Sequence, residues 1–215
     1  MGYTNEIWTS DDGINWRKVI EHAAFPAAEG QLLAVFQGKL WKIGGVNYDE
    51  RQAKNDVWYS ENGIDWIKVE NIPWKPRWDM AIAIFNGKLF LTGGMNLAGE
   101  TFNDIWMTED GLNWKLVTDN APWAPRQGHA LEVYKGYLWL IGRLNDAESG
   151  NGPNDVWFSS DGITWRKTDT DPEWTGREDF LSVVFKDKIW IFSGMDANWQ
   201  WRNDVWTSDF LTTTP

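Results

Sequence analysis

Short apolar runs alternate along the chain with clusters of Asn, Asp, Gly and Ser, and no useful window carries helical periodicity. Residues 81–85 and 88–92 are apolar, branched or aromatic, and Asn86-Gly87 between them is a strong hairpin signal. Residues 56–60 and 64–69 flank Glu61-Asn62-Gly63, whose glycine suits the left-handed position of a short loop. A helix across the Asn-Asp-Val-Trp stretches is ruled out, because Gly and Asn recur every few residues. The pattern predicts strands throughout.

The strands repeat. Five segments align, beginning at Asn5, Asn55, Asn103, Asn154 and Asn203, and their first tryptophans (Trp8, Trp58, Trp106, Trp157 and Trp206) are 48 to 51 residues apart. A second series is Trp16, Trp66, Trp114 and Trp165; a third is Trp41, Phe90, Trp139 and Trp190. A fourth places Phe25, Trp74, Trp123 and Trp174 beside prolines. These series make 15 of the 18 tryptophans architectural, leaving Trp78, Trp199 and Trp201 outside the repeat. A period near 50 with four strands per unit predicts small sheets stacked radially, an all-β propeller.

These residues resemble a kelch-repeat propeller, with repeats like those of the galactose oxidase central domain. The resemblance rests on apolar strands ending in Gly44-Gly45 and Gly93-Gly94, and on Trp58 and Trp66 lying 13 and 21 residues beyond Gly45. It covers nearly the whole chain, with departures at Gly142-Arg143 and Ser193-Gly194. The Ser-x-Asp-Gly-x-x-Trp runs at 10–16 and 159–165 are also similar to a shortened Asp-box of sialidase-like propellers, a hairpin that is structural in those families.

Residues 5–19 supply a third and a fourth strand of a blade, three complete blades follow at roughly 31–70, 80–118 and 129–168, and residues 180–209 supply a first, second and third. That is seventeen strands, one more than four four-stranded blades hold. The expected architecture is four kelch-like blades over residues 1–215, the last a composite of N- and C-terminal strands, with a surplus strand near Trp8 or Trp206. A monomeric ring is preferred to a homodimer closed through the surplus strand, since an unpaired edge is a template for another chain. The initial Met-Gly and the truncated repeat at 210–215 suggest a portion of a longer propeller.

Composition narrows the partners. Thirty-one acidic against 20 basic residues give a net charge of −11, which disfavours nucleic acid and anionic membrane. No apolar run is long enough to span a bilayer. Without cysteine and with only His22 and His129, thiolate chemistry and a His-rich or sulfur-ligated metal site are excluded, and no cofactor is expected. The crosslinked cysteine of kelch-type copper oxidases is impossible here.

The start of each first strand and the loop after each second strand share one rim, whereas the other rim carries tight turns. Binding belongs on the long-loop rim. By the kelch resemblance the aligned groups Arg77, Arg126 and Arg177, then Trp78 and Glu178, then Asp79 and Asp179, then His129 ring the axial opening. The arginines suit bidentate carboxylate binding or, alternatively, ion pairs with a neighbouring blade's Asp79, Asp179 or Glu178. Trp199 and Trp201 flank Gln200 in a long loop, exposed for a ligand or folded back over it. Aromatic faces beside amides and carboxylates suit sugars and protein hot spots alike. The sequence therefore reads as a non-catalytic binding or scaffold module for a protein or glycan. The alternative is a sugar-active enzyme, mutarotase-like, using acids at the axial mouth. The recurring Asn-Asp pairs are read as turn caps rather than calcium ligands.

Overall fold

The structure is a computed structural model describing residues 2–142 and 154–208, and its described residues contain strands and no helix. A hairpin of β1 (Ile7–Thr9) and β2 (Arg17–Ile20) comes first. Three four-stranded antiparallel blades follow. They are β3 (Leu32–Phe36), β4 (Lys39–Asn47), β5 (Gln52–Ser60) and β6 (Ile67–Val69); β7 (Trp78–Phe85), β8 (Lys88–Met95), β9 (Ile105–Thr108) and β10 (Trp114–Thr118); and β11 (Ala130–Tyr134), β12 (Tyr137–Ile141), β13 (Val156–Ser159) and β14 (Arg166–Lys167). The last blade has three strands: β16 (Leu181–Phe185), β17 (Lys188–Phe192) and β19 (Val205–Thr207). On its rim, β15 (Arg177–Glu178) pairs with β18 (Met195–Asp196). Four blades thus make up the β-propeller, with β3, β7, β11 and β16 innermost.

The composite blade does not form. β19 takes the place beside β17 that β1 was expected to fill, and among the described residues β1 pairs only with β2. The two competitors, Ile7-Trp8-Thr9 and Val205-Trp206-Thr207, are nearly the same sequence and offer nearly the same contacts. The copy nearer in sequence wins, because its loop closes at lower entropic cost. The surplus strand is therefore in the N-terminal hairpin.

Apolar cores fill the spaces between blades: one around Trp41, Val57, Trp74 and Leu91, a second around Phe90, Trp123, Leu138 and Trp165, a third around Trp139, Trp174, Phe180 and Ile191. The fourth aromatic series explains much of this. Trp74 lies edge-on to Trp114 (4.5 Å) and near Trp106, Trp123 lies edge-on to Trp165 (4.8 Å) and Trp157, and Phe25 lies edge-on to Trp66 (5.0 Å) and Trp58. Such edge-to-face pairs each add about 0.5–1.5 kcal/mol beyond burial. In the first hairpin the equivalent Trp8 and Trp16 are exposed. Each hairpin between third and fourth strands is an Asp-box: Ser159 Oγ accepts from the Gly162 amide (2.8 Å) while Asp161 Oδ1 accepts from those of Ile163 and Thr164. The Ser10, Ser60 and Thr108 hairpins repeat this, confirming a structural role.

The hub is a line of backbone hydrogen bonds through equivalent residues. Asp79 N–H donates to Gly30 C=O (3.4 Å), Gly128 N–H to Asp79 C=O (2.9 Å), and Asp179 N–H to Gly128 C=O (3.1 Å). At the two ends of this line, Leu33 and Val35 in β3 and Leu181 and Phe185 in β16 are exposed, so those strands do not bury one another.

Candidate functional site

The rim carrying the hub is built from rows of directly opposed residues. Glu29, Val46 and Ala53 form one row, Trp78, Met95 and Thr101 the next, and Glu178, Met195 and Trp201 the last. Opposed residues in antiparallel pairs point to one face, so each row places an inner, a middle and an outer side chain together. The corresponding loop of the third blade, including Arg143, lies outside the described residues.

The three arginines are turned into the protein. Arg77, Arg126 and Arg177 are each about 1% exposed. Each makes a bidentate pair with the aspartate of its own blade's Asn-Asp: Arg77 with Asp104 (2.5 and 2.9 Å), Arg126 with Asp155 (2.8 and 3.1 Å), Arg177 with Asp204 (2.5 and 3.0 Å). Their NH1 groups also donate to the carbonyls of Gly93, Gly142 and Ser193, and their Nε atoms to those of Lys75, Ala124 and Thr175. The ion-pair reading is thereby corrected in its partner, since the forks meet Asp104, Asp155 and Asp204 of the same blade and not Asp79, Asp179 or Glu178. Burial pushes the Asp155 carboxyl up, but the Arg126 hydrogen bonds outweigh it and hold it below the usual carboxylate range. Hydrogen bonding from Arg177 holds Asp204 low as well.

The blade with Ala28 at the arginine position takes its cation from elsewhere: Lys42, fully buried, reaches Asp56 at 3.2 Å. The indoles of Trp58, Trp106, Trp157 and Trp206 donate to the second oxygen of the same aspartates. The neighbouring asparagines reach farther than a turn cap. Asn55 donates to the Trp74 carbonyl, Asn103 to those of Ala121 and Trp123, and Asn154 to that of Trp174, tying each inter-blade segment down.

Two more candidates are packed inside. Trp78 is buried edge-on to Tyr48 at 5.9 Å, and Tyr48 is the exposed partner. His129 is buried with neither ring nitrogen hydrogen-bonded, in a space that Gly93 leaves open. Burial, with the Arg126 charge adding to it, pushes its pKa well below that of free histidine. Met80 and Phe180 fill the equivalent spaces against Gly44 and Gly142.

The acids do come together at the hub. Asp79 and Asp179 are held in the left-handed region (φ 51° and 55°) by the hub hydrogen bonds. Partial burial raises Asp79 to about 7, helped by Asp179, Glu178 and Glu29. Glu178 is raised by burial despite a hydrogen bond from Gln127 (2.9 Å), and Asp179 is raised by burial too.

The outer part of the rim carries the tryptophans. Trp199 and Trp201 are 71% and 69% exposed, which decides between the open and folded-back readings. Their loop is braced from beneath by Asp196, itself buried. Its Oδ1 accepts from the amides of Asn198 (2.9 Å) and Gln200 (3.1 Å), and its Oδ2 is clamped by Arg202. Asn96 braces the loop of the β8 blade in the same way, through Ala98 and Glu100. There the left-handed tip residue is Gly99; here it is Trp199, at φ 60°. A non-glycine residue held at such a φ costs of order 1–3 kcal/mol and occurs where surroundings enforce it. Tyr48 was anticipated on this rim from the sequence, whereas the bracing role of Asp196 was not. Alignment of Asp196 with Asn96 and Asn47 was the available signal.

The solved structure of YjhT superposes with a TM-score of 0.70 at 16% sequence identity, over 84% of this chain. The chain spans 63% of the length of YjhT. No curated protein sequence matches it. The description of the KLHDC2/KLHL20/DRC7 Kelch-repeats domain matches residues 3–194, and with its four radial blades and recurring Trp-Asp pairs the chain belongs to that kelch-repeat family.

Proposed function

We propose that the chain acts as a non-catalytic binding module whose protein or glycan ligand docks on the long-loop rim against Trp199 and Trp201. The observation that carries this reading is the pair of indoles about 70% exposed on a loop braced by a buried carboxylate. Large aromatic surface left in water costs solubility, and a braced loop loses little entropy on binding. A Trp199→Ala/Trp201→Ala variant is expected to keep its fold and lose ligand capture, compared with the wild type on a glycan array and in pull-downs. Unchanged capture by the double variant counts against the module.

One observation favours a second reading, a sugar-active enzyme. A carboxyl raised to about 7 at Asp79, beside Asp179 and Glu178, is placed for acid–base work near neutral pH. Turnover of a reducing sugar that vanishes in Asp79→Asn and Glu178→Gln would establish it.

A further inference from the structure

Resting on the binding-module reading, we infer that the occupant of the Trp199/Trp201 platform is a basic polypeptide segment, with one Arg or Lys side chain over the indoles and another reaching toward the hub. Indole faces are the strongest natural cation–π partners, and guanidinium is the cation that stacks on them best. These two faces stand in water rather than against the protein. The neighbouring cation, Arg202, is already neutralised by Asp196 and does not repel a second one.

Charge around the platform selects the occupant. Trp201 lies in one row with Met195 and Glu178, two strand spacings from the inner position, or roughly 10 Å. Asp179 adjoins Glu178, and Asp79 lies close to Asp179, Glu178 and Glu29. Among the described residues none of these four acids has an ion-pair partner, and the whole chain carries −11. A neutral glycan would leave the repulsion among them unchanged, whereas a cation relieves it. An extended segment rises about 3.3 Å per residue. Basic residues two to four positions apart therefore span from the indoles to the hub.

The test uses a capped heptapeptide with three arginines alternating with glycine, its glutamine counterpart, and cellohexaose, each titrated calorimetrically into the intact chain. The arginine peptide is expected to bind at least about tenfold more tightly than the glutamine one and to weaken as salt rises from about 50 to about 300 mM. It is expected to lose about tenfold affinity in Trp199→Ala/Trp201→Ala, with unchanged circular dichroism, and several-fold in Asp79→Asn/Asp179→Asn. Equal binding of both peptides, or arginine-peptide binding indifferent to the tryptophans, overturns the inference. Tryptophan-dependent binding of cellohexaose alone also overturns it while leaving the binding module standing. If no probe binds and Asp79-dependent sugar turnover is found, both fall.

Discussion

At the scale of single residues, the same guanidinium–carboxylate fork occurs three times with different solvent access. The side chain of Asp155 is 8% exposed and that of Asp204 38%. Asp155→Ala would strand the buried Arg126 charge and is expected to cost about 3–5 kcal/mol in denaturant unfolding. Asp204→Ala should cost clearly less, because water reaches the Arg177 pair. His129 gives a pH effect of known sign. Its folded pKa lies below the unfolded value near 6.5, so its contribution to stability is intact above that pH and is lost as pH falls through it. His129→Met, copying Met80, should flatten the acid limb of a stability–pH curve. Asp79 works in the opposite direction. Raised from 3.8 to about 7, it favours folding at low pH, and that stability is lost as pH rises through 7. The shift is worth on the order of 4 kcal/mol at most, less for the solvent that reaches the carboxyl. Asp79→Asn should therefore gain on the wild type between pH 5 and 8 in thermal melts.

At the scale of elements, every first hairpin turns through two residues of positive φ: Gln37-Gly38, Asn86-Gly87, Lys135-Gly136 and Lys186-Asp187. This two-residue geometry matches the twist of the strands it joins. Only the last does without glycine, and Asp187→Gly is expected to raise stability by roughly 0.5 kcal/mol in a chemical melt, relief of the left-handed side chain outweighing added chain entropy. These hairpins were legible because their signal is local. The strand positions were legible too, from the repeat and the tryptophan spacing. Which third strand would complete the last blade was not, since Trp8 and Trp206 sit in interchangeable sequences and only chain connectivity separates them.

At the scale of the whole molecule, the hub line runs from Gly30 to Asp179 and leaves apolar strand faces in solvent at both ends. Exposed apolar surface of this kind drives association. Light scattering is expected to show a mass that grows with concentration, and Leu181→Lys/Phe185→Lys to bring it back toward one chain. A mass equal to one chain at all concentrations would count against a homodimer. The same radial geometry gathers Glu29, Asp79, Glu178 and Asp179 from three blades although they are far apart in the chain, which is why the axial acids could be anticipated once the repeat was aligned.

The sequence by itself determined the repeat, the strands, the tight turns and which tryptophans were left over, because each depends on spacing and on residues adjacent in the chain. Tertiary structure alone decided what the polar repeats do. The arginines were expected at the opening because they recur at strand ends, yet a buried guanidinium needs a carboxylate, and the third strand of the same blade offers one within 3 Å. With that need met internally, the rim is left, among the described residues, with four hub acids that form no ion pair and with two exposed indoles.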